Sequence, residues 1–218
     1  MNELQSLYKQ DYPIFIDPYL ASKSMQRLKG VDMNCGLQFT SHPGFSSYGP
    51  YSRYEHSVGV ACIIWRFTHD KKQTLAGLFH DISTRVFSHV IDFVKKDYLV
   101  QESTEDETRQ IILQDSVIMN QLLCDGISVD EVSDYHLYPI ADNDSPRLSS
   151  DRLEYTLGNL LNYRKHTIKE IEKYFNDLVV GISEYGSQEI MFQHPEIAEE
   201  FAFGALSCGI IYSCDFDR

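Results

Sequence analysis

Apolar residues recur at helical spacing in one segment after another from Tyr54 onward. In the first segment, Ile63 and Phe67 lie one helical turn apart, which predicts a helix ending near Thr68 with His56 in its first turn. Further helical runs are residues 75–80, 87–94, 111–123, 151–163, 167–180 and 188–212. Because strand signals are few, the pattern predicts an all-α fold, a single helical bundle.

The segments without helical periodicity are rich in proline and glycine. Residues 11–50 are punctuated by both and predict irregular or only briefly helical structure, with one short helix over residues 22–28. Residues 138–150 contain two prolines and predict a loop. We therefore expect one domain over residues 1–218, with a core of about 50–165, an N-terminal segment of 11–50 and C-terminal helices in 166–212.

The charge and composition restrict the class of protein. A net charge of −13 over 218 residues argues against nucleic acid as a partner, although it allows a locally basic pocket for a small phosphorylated ligand. No apolar run reaches the roughly 18 residues of a membrane span, and the polar start lacks the features of a signal peptide. Five cysteines without a C-x-x-C pair fit reduced thiols. We expect a cytoplasmic protein, with a homodimer as the default assembly.

The adjacent pair His80-Asp81 is the centre of the candidate site. Together with His56 and Asp151, it supplies two imidazoles and two carboxylates from the ends of three predicted helices. Helical bundles build metal sites from side chains that project inward in this way. A mixed nitrogen and oxygen set leaves coordination positions for water and substrate, as a catalytic divalent metal requires. Each histidine alone would more often be a structural residue.

Several motifs resemble those of one known family. Residues 53–60, RYEHSVGV, resemble the opening motif of the HD-domain phosphohydrolases. Residues 78–81, LFHD, with residues 87–90, FSHV, resemble that family's central segment, and residues 150–155, SDRLEY, its distal aspartate segment. The deoxynucleoside triphosphate triphosphohydrolase branch is the most similar, since residues 25–28, MQRL, also match its N-terminal motif.

The resemblance implies a metal site and its ligands. His56, His80, Asp81 and Asp151 match the family's metal ligands. The implied cofactor is one divalent ion, Mn, Fe, Mg, Ni or Zn, among which the ligand types do not choose. A second ion bridged by Asp81 is also compatible with the motif. The histidines outside the motifs have no such context; they are His42, His69, His136, His166 and His194.

The resemblance also assigns substrate-binding and catalytic residues. Arg53 matches a residue that contacts substrate phosphates, and Arg152 and Tyr155 match positions that touch phosphate and sugar. His89 and Asp92 match a pair near the scissile phosphate, where the aspartate would raise the pKa of a general-acid histidine. The ordinary alternatives are an ion pair at a helix start for Arg53, a packed aromatic for Tyr155 and a surface pair for His89 with Asp92.

Two departures from the branch pattern bear on the substrate. Thr84 stands where the branch has a phosphate-contacting histidine, and Thr104 stands where it has the histidine of a His-Glu pair. The sequence therefore predicts a metal-dependent phosphohydrolase that uses a metal-activated water on a nucleotide or related small phosphoester. The alternatives are a nucleotide- or metal-binding regulatory module with little catalysis, and an interaction scaffold with vestigial ligands.

Overall fold

The computed structural model describes residues 3–34, 51–86, 107–163 and 166–212. These residues form a mostly α-helical bundle, which confirms the predicted fold class. Its helices are α1 (Glu3–Leu7), α2 (Asp17–Leu20), α3 (Lys23–Arg27), α4 (Arg53–Thr68), α5 (Lys71–Phe79), α6 (Thr108–Gln114), α7 (Ser116–Asp125), α8 (Ser150–Tyr163), α9 (Ile168–Asn176) and α10 (Pro195–Tyr212). A small hairpin, β1 (Leu178–Ile182) with β2 (Gln188–Phe192), lies between α9 and α10.

Helix α4 is the centre of the bundle and packs against both α5 and α8. It begins with a capping box, in which the Ser52 hydroxyl accepts from the Glu55 amide and the Glu55 carboxylate accepts from the Ser52 amide. Its C-cap is His69, whose φ of 48° is left-handed. The expected helix ending near Thr68, with His56 in its first turn, is therefore confirmed.

Helix α5 approaches α4 closely because Gly77 lies at their contact. A Cβ atom on Gly77 would lie 2.2 Å from Ile64 Cδ1. Asp70 caps the start of α5 by accepting from the amides of Lys72 and Gln73. The close packing of α5 on α4 brings His80, at the end of α5, toward the first turn of α4.

Helix α8 begins where the predicted loop of residues 138–150 ends. The Ser150 amide and hydroxyl both donate to the Ile140 carbonyl, at 2.9 and 2.7 Å. The Ser149 hydroxyl accepts from the Arg152 amide at 3.3 Å. These hydrogen bonds fix the first turn of α8 and therefore the direction of the side chain of Asp151.

The N-terminal segment is tied to the start of α4. The expected short helix is α3, which Ser22 caps by accepting from the Met25 amide. Further along, the Met33 amide donates to the Tyr51 carbonyl and the Arg53 amide donates to the Val31 carbonyl, both at 2.8 Å. These contacts hold Tyr51 beside the first turn of α4.

The helix predicted over residues 111–123 is wrong in one respect, because the structure has two helices there. Helix α6 ends at Gln114 and α7 begins at Ser116. Between them, the Asp115 carboxylate accepts from the amides of Val117 and Ile118 and from the Ser24 hydroxyl. An aspartate that caps a helix in this way competes with the continuous helical ladder.

The helical runs predicted over residues 167–180 and 188–212 are wrong where the hairpin lies. The β-branched Val179 and Val180 favour a strand, and strand β1 pairs antiparallel with β2. Gly186, with a φ of 80°, lies in the turn between the strands. Helix α10 begins only at Pro195, a residue suited to the first position of a helix.

Two further observations complete the description. Among the described residues, no helix combines the length and apolar character needed to cross a membrane. The helix predicted over residues 87–94 lies outside the described residues, as do His89, Asp92 and Thr104.

Candidate metal centre

His56 projects from the first turn of α4 into the interior, where its side chain is completely buried. Its Nδ1 lies 2.5 Å from Glu154 Oε2 and its Nε2 lies 2.9 Å from Asp151 Oδ1. Both carboxylates come from the start of α8, three positions apart, on the helix face that meets α4. One imidazole is therefore held between two acidic side chains of a single helix.

His80 follows the last residue of α5 and is also buried. Its Nδ1 lies 2.6 Å from the Gly77 carbonyl oxygen. A carbonyl only accepts hydrogen bonds, so Nδ1 carries the proton and Nε2 of the neutral ring has a free lone pair. The Tyr135 ring, whose centroid is 5.1 Å from that of His80, covers this imidazole.

The donor atoms of three predicted ligands converge on one point. His56 Nε2 lies 3.2 Å from His80 Nε2, and His80 Nε2 lies 3.7 Å from Asp151 Oδ1. The ligand atoms of His56, His80 and Asp151 all lie within 4.8 Å of one another. This spacing suits coordination of a single cation.

Asp81 faces the same point from a slightly greater distance. Its Oδ2 lies 3.5 Å from His80 Nε2 and 3.9 Å from His56 Nε2. The Arg53 guanidinium donates from one nitrogen to both oxygens of this carboxylate, at 3.1 and 2.9 Å, and the Thr84 hydroxyl donates to Oδ1 at 2.8 Å. All four predicted ligands thus lie together, with Asp81 paired to Arg53.

The electrostatics of the cluster favour a bound positive charge. Burial lowers the pKa of His56, but the negative charge of Glu154 and the hydrogen bonds of Asp151 and Glu154 outweigh burial and raise that pKa to about 10. The carboxylates therefore stabilise either a proton or a metal ion at this position. A divalent ion bound at neutral pH would displace the proton.

Both ligand carboxylates remain ionised despite burial. Burial raises the pKa of Asp81, but the charges of Arg53, His80 and His56 outweigh it and hold that pKa well below its ordinary value. Burial likewise opposes ionisation of Asp151, whose pKa is nevertheless lowered by its hydrogen bond to His56 and by the two histidine charges. With 21% of its side chain exposed, Asp151 marks the side of the cluster that is open to solvent.

The chemistry of the donor atoms fits a metal ion. His56 donates from Nδ1 to Glu154, so once the proton on its Nε2 is displaced, that nitrogen has a free lone pair, as does Nε2 of neutral His80. Two such nitrogens cannot hydrogen bond to each other at 3.2 Å without an added proton, whereas both can bind one cation. Two imidazole nitrogens and carboxylate oxygens suit divalent Mn, Fe, Ni and Zn, and carboxylate oxygens suit Mg.

The predicted substrate residues differ in their surroundings. Arg53 lies beside the cluster through its pair with Asp81. Tyr155 is half-buried, and burial together with the Asp151 charge raises the pKa of its phenol to about 12. Among the described residues, no side chain or backbone group hydrogen bonds to the Tyr155 hydroxyl.

Arg152 is committed to the loop that precedes α8. Its Nε donates to the Arg147 carbonyl at 2.9 Å, and NH2 donates to the carbonyl and to the side-chain oxygen of Asn143. NH1 lies 3.4 Å from Asp142 Oδ1. In this arrangement the guanidinium organises the loop.

The residue that the sequence interpretation missed is Glu154. Its side chain is completely buried beside His56, and the Tyr51 hydroxyl donates to the same carboxylate oxygen that contacts His56. The available signal was its spacing, three residues after Asp151, which places both carboxylates on one face of a helix.

Two curated proteins resemble this chain in sequence, while no protein-family model matches it. The uncharacterized protein YdhJ of Bacillus subtilis is 30% identical over 166 residues, which are 76% of this chain and 49% of YdhJ. The metal-dependent phosphohydrolase cns2 of Cordyceps militaris is 29% identical over 171 residues, 76% of this chain and 46% of cns2. The chain spans about half the length of these relatives.

Proposed function

We propose that this protein is a metal-dependent phosphohydrolase of the HD-domain superfamily. The observation that carries the proposal is the convergence of His56 Nε2, His80 Nε2 and Asp151 Oδ1 within 4.8 Å. The name of the relative cns2 agrees with that chemistry. The proposed domain core of about residues 50–165 contains all four ligands.

His56, His80, Asp81 and Asp151 would hold one divalent ion in this proposal. When bound, such an ion lowers the pKa of a coordinated water and neutralises charge on a phosphate oxygen. The ligand set is compatible with Mn, Fe, Mg, Ni or Zn. If a second ion is bound, Asp81 would share in holding it.

The residues around the ligands would bind and orient the substrate. Arg53 lies against Asp81 with its side chain 11% exposed, so a phosphate beside the metal ligands would meet a guanidinium that can bind two of its oxygens. The Tyr155 hydroxyl would hydrogen bond to the substrate. Arg152 would act mainly by holding the loop of residues 142–147, and direct contact with phosphate remains a prediction.

Proton transfer to the leaving group is assigned to His89. In the proposal its imidazolium donates a proton to the leaving oxygen, and Asp92 holds the ring in position. Both residues lie outside the described part of the chain, so this assignment rests on their match to the family motif.

The proposed substrate is a nucleotide or a related small phosphoester. Thr84, which replaces a phosphate-contacting histidine of the triphosphohydrolase branch, donates its hydroxyl to Asp81 and is buried. Neither relative is named for action on deoxynucleoside triphosphates. We therefore propose phosphoester hydrolysis without assigning the triphosphohydrolase reaction.

The presence of Thr84 in place of a histidine also supports a second candidate function, a regulatory module that binds metal and nucleotide. Without the phosphate-contacting histidine at Thr84, binding could persist while hydrolysis is slow. This candidate predicts tight nucleotide binding together with the absence of turnover on a broad set of phosphoesters.

A phosphoester panel with several metals tests the proposal. Metal-stripped protein is supplied with Mn, Mg, Fe, Ni or Zn, and released phosphate is measured alongside metal content. We expect metal-dependent release by the wild type and loss of both activity and bound metal in Asp151→Asn. Asp144→Asn is the control, because that carboxylate is 93% exposed. Full activity in Asp151→Asn would contradict the proposal, and binding without release would favour the regulatory module.

A further inference from the structure

Glu154 is a buried carboxylate that neighbouring side chains contact with hydrogen-bonding groups. Its side chain has no exposed surface, yet three side chains hydrogen bond to it. The Tyr51 hydroxyl and His56 Nδ1 contact Oε2, and the Tyr8 hydroxyl lies 3.4 Å from Oε1. A buried carboxylate is costly unless it is satisfied in this way.

The space for this carboxylate depends on glycines in two helices. A Cβ atom on Gly59, one turn after His56, would lie 2.4 Å from Glu154 Oε1 and 2.7 Å from its Cγ. In α8, a Cβ atom on Gly158 would lie 3.0 Å from Cε1 of the Tyr51 ring. Larger residues at these positions would displace Glu154 or the tyrosine that donates to it.

Glu154 contacts one particular ring nitrogen of His56. It contacts Nδ1, the ring nitrogen opposite the one that faces His80 and Asp151. Glu154 and Asp151 are both acceptors, so each nitrogen of the ring donates a proton while no cation is bound. When a cation replaces the proton on Nε2, the contact with Glu154 would keep the other proton on Nδ1 and the Nε2 lone pair directed at the cluster. Rotation of the ring by half a turn would break both contacts.

We infer that Glu154 is a positioning residue for the metal ligand His56, fixing the ring orientation and the Nδ1–H tautomer that binding through Nε2 requires. This inference rests on the proposed metal site. It extends that proposal by assigning a role to a residue that would not contact the metal or the substrate. Removal of such a hydrogen-bond partner typically weakens metal binding by about 10- to 100-fold.

Calorimetric titration of metal-stripped protein with Zn²⁺ or Mn²⁺ tests the inference. In Glu154→Gln, the charge is lost and an amide replaces the oxygen pair that accepts from Tyr51 and His56. We expect the dissociation constant to rise by about 10- to 100-fold. Glu172→Gln is the matched control, because Glu172 lies exposed on α9, and its affinity should equal that of the wild type.

The outcomes separate the inference from the proposed function. Equal affinity of folded Glu154→Gln and wild type would overturn the role of Glu154 while leaving the metal site intact. A wild type that binds neither ion would overturn the proposed function itself, and the inference with it.

A measurement on the wild type decides the case if Glu154→Gln does not fold. Nitrogen-15 NMR of the zinc-loaded protein reports which imidazole nitrogen carries the proton, and the His56 signals are assigned from their proximity to the Tyr51 ring, 6.5 Å away between centroids. We expect a proton on Nδ1 and none on Nε2. A proton on Nε2, or zinc bound to Nδ1, would overturn the inference.

Discussion

His56 Nε2 and His80 Nε2 face each other across 3.2 Å. In each imidazole the other nitrogen, Nδ1, donates its proton to a fixed acceptor, which is Glu154 for His56 and the Gly77 carbonyl for His80. Helices α4 and α5 bring the rings this close because Gly77 allows tight packing against Ile64. The position between the two rings therefore needs a positive charge.

Replacement of Arg53 should destabilise the metal-free protein more than the metal-loaded protein. Arg53→Ala leaves the Asp81 carboxylate, with a side chain only 9% exposed, without its guanidinium partner, although the Thr84 hydroxyl still donates to it. Breaking a buried ion pair costs about 3–5 kcal/mol, and a bound divalent ion would supply part of the missing positive charge. Denaturant unfolding with and without Mn²⁺ measures the difference.

The control for this prediction is Arg109→Ala, which removes an exposed arginine paired with the exposed Asp130. Such surface pairs contribute about 0–1 kcal/mol. An Arg53→Ala loss of stability that is identical with and without metal would show that Asp81 does not share in metal binding.

Thr84→Val should weaken metal binding while nearly preserving the side-chain volume beside Asp81. The substitution keeps the side-chain shape and removes the hydroxyl that donates to Asp81 Oδ1 at 2.8 Å. A hydrogen bond to a charged group is worth about 1.5–3 kcal/mol, so we expect a measurable loss in folding stability and in metal affinity. Thr156→Val is the control, since that hydroxyl donates to the Arg152 carbonyl within α8. Equal metal affinity in both variants would contradict the role of Thr84.

Gly77→Ala should destabilise the contact between α4 and α5. The added Cβ would lie 2.2 Å from Ile64 Cδ1, and overpacking of this kind costs about 1–3 kcal/mol. Gly30→Ala is the control variant, because a Cβ at position 30 would meet no atom within 4 Å. Denaturant unfolding of the two variants should separate them. Equal stabilities would mean that the Ile64 side chain moves aside at little cost.

The ion pair between His194 and Asp177 predicts a pH-dependent contribution to stability. The Asp177 carboxylate raises the pKa of His194 above 6.5, so that contribution is complete below pH 6.5 and is lost as pH rises through the raised pKa. Burial opposes ionisation of Asp177, but His194 lowers the pKa of Asp177 below 3.8. The contribution of Asp177 to stability is therefore complete above pH 3.8 and is lost as the pH falls through the lowered pKa. The pair is therefore most stabilising between about pH 4 and 6.5.

The variant His194→Gln tests this pH window by thermal unfolding across about pH 3–9. The difference in melting temperature between wild type and variant should be largest near pH 5 and should shrink toward both ends. A difference that does not change with pH would mean that the charge of His194 contributes nothing to the junction of β2 and α10.

The sequence predicted the elements that position the four proposed metal ligands because their signals are local. The apolar spacing of residues 54–68 and the polar residues before it define α4, whose capping box involves only Ser52 and Glu55. The family resemblance named four ligands, and the structure brings all four side chains together. The break at Asp115 was missed because the helical apolar spacing continues across this capping aspartate. The hairpin was missed because short apolar runs are compatible with a helix or a strand.

The surroundings of the ligands could not be predicted because they depend on contacts between distant segments. In the sequence, Glu154 is an ordinary acidic residue of an amphipathic helix, and only packing against Tyr8, Tyr51 and Gly59 buries it. Arg152 matched a phosphate-binding position, yet its donors are held by Asn143 and Arg147 in the adjoining loop.

The central claim is that His56, His80, Asp81 and Asp151 form one catalytic metal site. The most direct measurement is stepwise addition of Mn²⁺ to metal-stripped protein, with bound metal and phosphate release from a responsive phosphoester recorded in the same samples. We predict that the stripped protein releases no phosphate and that the rate of release rises in proportion to the bound Mn²⁺. We also predict that His80→Gln abolishes both Mn²⁺ binding and phosphate release. Phosphate release at full rate without bound metal, or full occupancy in His80→Gln, would contradict the account.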